Sequence, residues 1–177
     1  ADNYDEDATK DDGSCEYPDT TYIPDPNFEQ VLINLGLDNV IDGQVLTSNI
    51  NTVIHLFLSN KSISDLTGIE DFTALNVLDC KYNQLTSLDI SQNTALTSLD
   101  CKYNQLTSLD VSQNTSLIQL QCSNNQLTSI DVTQNSALTL LFCGGNQITS
   151  LDVSNNTALT YLACGDNQIT SIDVSQN

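Results

Sequence analysis

Asp79 and Asp100, each followed two residues on by a lysine (Lys81 and Lys102), are the first side chains whose types and spacing could do chemistry. On neighbouring strands two such carboxylates stand roughly 5 Å apart, the separation at which a retaining glycosidase uses one as nucleophile and the other as acid. The lysines on the same face offer a simpler reading, because cross-strand charge compensation needs the same alternation. His55 is the one histidine, and no nucleophile motif lies near it, which argues against Ser-His-Asp catalysis. Cys80, Cys101, Cys122, Cys143 and Cys164 recur every 21 residues. Zinc needs ligands that converge in a tetrahedron, and an even series offers none. Disulfides within the series would need the side chains to lean together. Reduced, buried thiols acting as small hydrophobes fit the spacing. Near the N-terminus, Asn3, Asp5, Asp7 and Asp11 have the odd-numbered spacing of calcium ligands, although Ala8 stands where such loops carry glycine and no glutamate closes the loop. Calcium is the one cofactor suggested; none is required.

The composition narrows the partners. The 177 residues hold 23 acidic side chains, four lysines and no arginine, for a net charge of -19. Nucleic acid is excluded, because phosphate binding needs a basic footprint. Apolar runs are a few residues long, so no segment inserts in a membrane. The chain begins at Ala1 without a signal segment, as a mature fragment does.

The elements that must position these residues follow from the period. A unit L-x-x-L-x-C-x-x-N-Q-[LI]-T-S-[LI]-D-[VI] starts at Leu75, Leu96, Leu117, Leu138 and Leu159. A looser 22-residue copy precedes it, with Val53, Leu56, Leu58, Ile63 and Leu66 in matching places. Leu78 and Cys80 alternate with exposed residues, as in a half-buried strand. One copy cannot bury its apolar face, so copies must stack into a continuous core. The second half alternates separately, with Leu85, Leu88 and Ile90 inward and Ser87 and Asp89 outward. About ten residues with turn-rich flanks cannot hold a long helix, so a second short strand or extended segment is expected on the back.

The first half of the unit resembles the leucine-rich-repeat consensus, with cysteine replacing one leucine. The resemblance implies a mainly β solenoid with short strands on both faces and an N-terminal capping helix. It also places Asn83, Asn104, Asn125, Asn146 and Asn167 at the family's asparagine ladder, where the amide satisfies buried backbone groups. Asn93, Asn114, Asn135 and Asn156 serve the opposite turn. The organisation expected is an acidic module or linker over 1–18, a cap over 19–52 and the solenoid over 53–177, ending within a repeat. Asp25 as N-cap, Pro26 at the first helical position and Gly36 as stop predict a cap helix over about 26–35, with Phe28, Val31, Leu32 and Leu35 as its apolar stripe. The stretch from Asp38 to Asn49 is like a worn EF-hand loop, broken by Val40 and Asn49; a turn packing the cap onto the first repeat is the reading preferred.

The run N-Y-D-E-D-A-T-K-D-D-G-S-C-E-Y resembles a cysteine-bounded module of secreted Bacteroidetes proteins, a resemblance that implies a second cysteine upstream of Ala1 and leaves Cys15 without its partner. With T-Y-I-P-D-P-N-F-E-Q and the L-D-[VI]-S repeats, the whole is similar to flavobacterial secreted leucine-rich-repeat proteins. That implies a secreted or cell-surface location and a longer native protein. An uncapped solenoid end also offers a route to self-association.

In such an array, invariant positions build the scaffold and variable exposed ones do the recognising. The variable rows fall on the first strand and its turn: Leu140, Phe142 and Tyr161 near glycines in the later copies, and Asp79, Asp100, Tyr82 and Tyr103 in the earlier ones. Exposed apolar patches with polar rims mark interaction sites. The reading is therefore a binding or adhesion module for a protein or glycan, not an enzyme. The alternatives are a calcium-stabilised spacer and a polysaccharide-acting enzyme using Asp79 and Asp100. Asp89, Asp110, Asp131, Asp152 and Asp173 form a second series on the back, five like charges that backbone amides or the hydroxyls of Ser91 and its equivalents must satisfy. The Thr86–Ser87 series is interrupted by these charges, which argues against a flat ice-binding surface.

Overall fold

The computed structural model describes residues 18–177. Asn3, Asp5, Asp7, Asp11 and Cys15, with the acidic module that contains them, lie outside the described residues.

The chain forms a solenoid whose coils each contribute one three-residue strand. These are β3 (His55–Phe57), β4 (Val77–Asp79), β5 (Ser98–Asp100), β6 (Gln119–Gln121), β7 (Leu140–Phe142) and β8 (Tyr161–Ala163), paired in sequence order as one parallel sheet. The register keeps every repeat in step: Leu56, Leu78, Leu99, Leu120, Leu141 and Leu162 form one inward column. Their flanking residues point outward by the pleat. Behind the sheet, Leu85, Ile90 and the equivalents as far as Ile148 and Val153 are buried, while in the last copy Ile169 is partly buried and Val174 is 50% exposed; Leu88 packs half-buried at the edge of the core.

The expected strands on both faces reduce to strands on one. Residues after the ladder asparagine run extended, with a rung-to-rung bond such as Gln105 N–H to Leu85 C=O (2.8 Å) and no strand pairing beyond it. The reason is local. Each back aspartate turns the chain by accepting the amide two residues on, and a tight turn at Asn93 and its equivalents follows. Too few residues remain to pair.

Both asparagine series hold the turns. Asn104 Oδ1 accepts from Leu85 N–H (3.0 Å), while its Nδ2 donates to the Cys80 and Cys101 carbonyls (3.1 and 3.0 Å). At the opposite turn Asn114 is fully buried and donates to Ile90 and Asn93 carbonyls (both 3.0 Å).

The cap begins with β1 (Thr20–Tyr22), which pairs antiparallel with β2 (Gln44–Leu46), and with helix α1 (Pro26–Asn34) between them. Gly36, in left-handed backbone, follows the helix end. Phe28, Val31 and Leu32 are buried, but Leu35 is more than half exposed and drops out of the expected stripe, because the chain leaves the helix before it can face the core. A short helix α2 (Thr47–Ile50) then leads into β3. Gly68 lets the cap close on the first coil: a Cβ there would lie 2.6 Å from the Tyr22 carbonyl oxygen, and its φ of 98° is one L-residues avoid.

The segment like an EF-hand loop has the polarity opposite to a calcium site. Its amides point inward, and the buried Glu29 carboxylate accepts from Asp42, Gly43 and Gln44 N–H (3.0, 2.7 and 3.1 Å). Converging amides cradle an anion, not a cation.

Cys80, Cys101, Cys122 and Cys143 are fully buried free thiols, whereas Cys164 is half-buried. Burial pushes the Cys143 thiol up to about 12 and holds Cys80, Cys101 and Cys122 well above the ordinary thiol range. The thiolate is the reactive form, so these groups are inert. In a Cys15→Ser background, thiol labelling of native protein is expected to modify Cys164 first and spare the other four until denaturation. Rapid native labelling of Cys101 would contradict the buried ladder.

Candidate recognition face

The parallel sheet leaves its outer face uncovered among the described residues. Parallel sheets normally have both faces covered, so this face is where a partner has room. Three groups of side chains occupy it.

The first is charged. Lys81 Nζ sits 2.7 Å from Asp79 Oδ2 and 3.3 Å from Asp100 Oδ2, and Lys102 lies 3.5 Å from Asp100. The two carboxylates therefore share one ammonium between them. With Lys102 beside Asp100, the two ammonium groups balance the two carboxylates, which is the cross-strand charge compensation read from the sequence. Lys102 also donates to Gln121 Oε1 (2.7 Å), which holds it down along the sheet.

The second group is aromatic and lies on the later coils. Leu140 is the register partner of Tyr161, and the Phe142 and Tyr161 rings are 5.0 Å apart at 51°. Tyr161 is 55% exposed, while Leu140 and Phe142 are half-buried by their neighbours. Lys102 Nζ lies 6.0 Å from the centre of the Phe142 ring, at the limit of a cation–π contact. Phe142 thus lies next to Lys102 of the charged group.

The third group is the pair Tyr82 and Tyr103, whose rings stack 4.5 Å apart and within 9° of parallel. They occupy the turn after the strand, in left-handed backbone at φ 56° and 54°. Sequence spacing placed them side by side; the stacking and the backbone conformation required the structure. His55 and Phe57, on the same variable rows of the strand face but not singled out there as binding residues, form a further exposed pair at the other end, with ring centres 6.4 Å apart.

The back is different in kind. Asp89, Asp110, Asp131, Asp152 and Asp173 each accept from the amide two residues on, at 2.8 to 2.9 Å, and Thr133 adds its hydroxyl to Asp131 (2.7 Å). These bonds lower all five carboxyl pKa values below the ordinary range. The expected like-charge repulsion is met locally, as the spacing suggested. A shallow cleft of about 660 Å³ opens on this side, lined by Asp65, Glu70, Asp89 and Asp110 around Leu66, Ile69 and Leu88. All four carboxylates already accept amides from their own turns, among them Thr67 N–H and Gly68 N–H to Asp65 and Glu70 (both 2.8 Å). No group of three or more metal-ligating side chains gathers among the described residues. None of their helices is long and apolar enough to cross a membrane.

No family model matches the chain. A curated relative, internalin J of Listeria monocytogenes, is 44% identical over 72 residues, 41% of this chain and 8% of the relative. The solved functional domain of internalin J from Listeria monocytogenes, described as including a cysteine ladder, superposes with a TM-score of 0.83 at 41% identity, over 91% of this chain and 37% of that one. An internalin F structure from Listeria monocytogenes gives 0.68 at 32% identity, over 73% of this chain and 38% of that one. Internalin C2 from the same species gives 0.65 at 22%, over 92% of this chain and 84% of that one, and supports the fold alone. The chain thus spans well under half of internalins J and F. These relatives are listerial, and the flavobacterial resemblance of the sequence gains no support from them. With its parallel sheet, its inward cysteine series and its 21-residue period, the chain is a leucine-rich-repeat protein related to the Listeria internalins.

Proposed function

We propose that this chain is the recognition part of a secreted or cell-surface protein, and that it binds a protein partner through the front face, centred on Leu140, Phe142 and Tyr161. One observation carries this reading. The back repeats Thr-Ser-x-Asp in every regular copy, whereas the front changes from coil to coil and gathers an aromatic pair there, exposed Tyr161 against half-buried Phe142. Aromatic side chains on rigid elements dominate interface energies. The likeness to internalin repeat domains supports a surface binding role.

A screen of the chain against protein and glycan arrays tests the reading. With any ligand so found, Phe142→Ser and Tyr161→Ser are each expected to weaken binding by about 1 kcal/mol or more. Both should leave the melting temperature near that of the parent, because neither side chain enters the core. Ser87→Lys on the back should bind as the parent does. The face is wrong if the two front variants bind unchanged while Ser87→Lys abolishes binding. A glycan-only hit would move the partner class without moving the face.

A further inference from the structure

We propose that the stacked Tyr82–Tyr103 pair is a second contact site on the front face, and that it receives an arginine side chain of a cationic protein partner. The proposal rests on the front face being the recognition face, and adds to it a place and a chemistry.

The backbone carries the first part of the argument. The turn position held by Tyr82 and Tyr103 recurs in the other coils as Asn60, Asn124, Gly145 and Asp166, all in the same left-handed conformation. Asparagine, aspartate and glycine tolerate that region, and a tyrosine does so only at a cost. The turn itself needs nothing that asparagine does not supply. Two adjacent coils nevertheless carry tyrosine, each ring about half exposed. A residue held against its backbone preference without a structural need points to function.

The ring geometry carries the second part. The centre-to-centre distance of 4.5 Å is close to the spacing of about 4.8 Å between neighbouring strands. The stack therefore runs along the solenoid, and its outer faces look toward the neighbouring turns. The next positions along the stack are held by the shorter Asn60 and Asn124, so a flat group continuing the stack would lie over the outer part of an end ring.

Charge selects the flat group. The chain has a net charge of -19 and no arginine of its own. The nearby lysines are occupied, Lys81 by Asp79 and Asp100 and Lys102 by Asp100 and Gln121. Among the described residues the one cation–ring contact is Lys102 over Phe142, so the tyrosine faces carry none. A guanidinium is planar, stacks on aromatic faces and is less strongly hydrated than an ammonium. The negative field of the chain draws such a partner in.

The test uses three capped Gly-Ser peptides that carry two arginines, two lysines or two citrullines. Each is titrated into the full chain while its backbone amide signals and its tyrosine and phenylalanine ring signals are followed by NMR. The arginine peptide is expected to shift Tyr82 and Tyr103 saturably, about fivefold more tightly than the lysine peptide, with no saturable shift from citrulline. The double variant Tyr82→Asn/Tyr103→Asn should keep or raise the melting temperature and lose the response. Equal binding of the lysine peptide overturns the proposal. So does a fall in melting temperature of the double variant, which would make the stack a structural device, and so does a neutral hexose oligomer that shifts these rings when the arginine peptide does not. Shifts at Phe142 and Tyr161 alone overturn this site and leave the recognition face standing. Shifts confined to the back overturn both.

Discussion

Replacing Asp25 by alanine is expected to destabilise the protein by about 4 kcal/mol, measured by denaturant unfolding at neutral pH. Its carboxylate is both a helix cap and a strut. Oδ1 accepts from Asn27 and Phe28 N–H (2.8 and 3.2 Å), which caps α1. Oδ2 accepts from Ser64 N–H, Ser64 Oγ–H and Asp65 N–H (2.7, 2.8 and 3.1 Å), which ties the cap to the first coil. Asparagine separates the two roles. As a simple N-cap it equals aspartate, but here its amide group would point donors at donors on one side or the other. Asp25→Asn should therefore cost nearly as much as alanine, and an asparagine variant as stable as the parent would reduce Asp25 to a cap. Desolvation pushes the Asp25 pKa up, yet the bonds from Ser64, Asn27 and Phe28 outweigh it and the net shift is downward. A carboxyl lowered by folding contributes stability that is fully present above its unfolded value, about 3.9. That contribution is lost as the pH falls below this value and through the lower folded one. The gap in stability between parent and Asp25→Asn should accordingly narrow between pH 5 and pH 2, values set by about one to two units around that reference.

Asn104→Ala is expected to cost about 3 kcal/mol, and Asn114→Ala about 1 kcal/mol, although both side chains sit in buried ladders. The difference lies in what each leaves behind. Without Asn104, the buried Leu85 N–H has no acceptor, and the Cys80 and Cys101 carbonyls each lose one of two donors. Without Asn114, no N–H is orphaned. The Ile90 carbonyl still accepts from Asn93 N–H (3.0 Å), and the Asn93 carbonyl from Leu96 N–H (3.1 Å). Asn114 Oδ1 is itself buried without a protein partner, so truncation also removes an unpaid acceptor. Equal losses in the two variants, read from the same unfolding curves, would show that the ladders are held by packing rather than by these bonds.

Much of this was legible in the residues, and the limits of legibility are physical. The 21-residue period determined the solenoid, because a repeat that cannot bury its own face must stack on the next. Alternation within the unit determined which side chains of the strands face out, since the strand period of two is strict. Composition argued against nucleic acid as a partner, because a net charge of -19 disfavours the approach of phosphate. The N-cap at Asp25, with Pro26 and Gly36, placed α1 to within one residue at its end.

What remained open depended on contacts between residues distant in sequence or on angles that a pattern does not carry. The back alternates as a strand would, yet whether it pairs depends on how many residues the Asp89 and Asn93 turns consume. Glu29 carries no signal of its own in the sequence, and only the packing of residues 42–44 around it makes it the anion that organises the cap. Asp25 read as a cap, and its second set of bonds reaches 39 and 40 residues along the chain. Cross-strand charge compensation was legible for Lys81 and Lys102, but that Lys81 bridges Asp79 and Asp100 follows from the register, which brings Asp100 beside Asp79. The tyrosine pair was visible as two letters 21 residues apart. Its stacking, and the backbone conformation it is held in, belong to the tertiary structure, because side-chain geometry across coils is set by rung spacing and turn dihedrals that spacing in sequence does not encode.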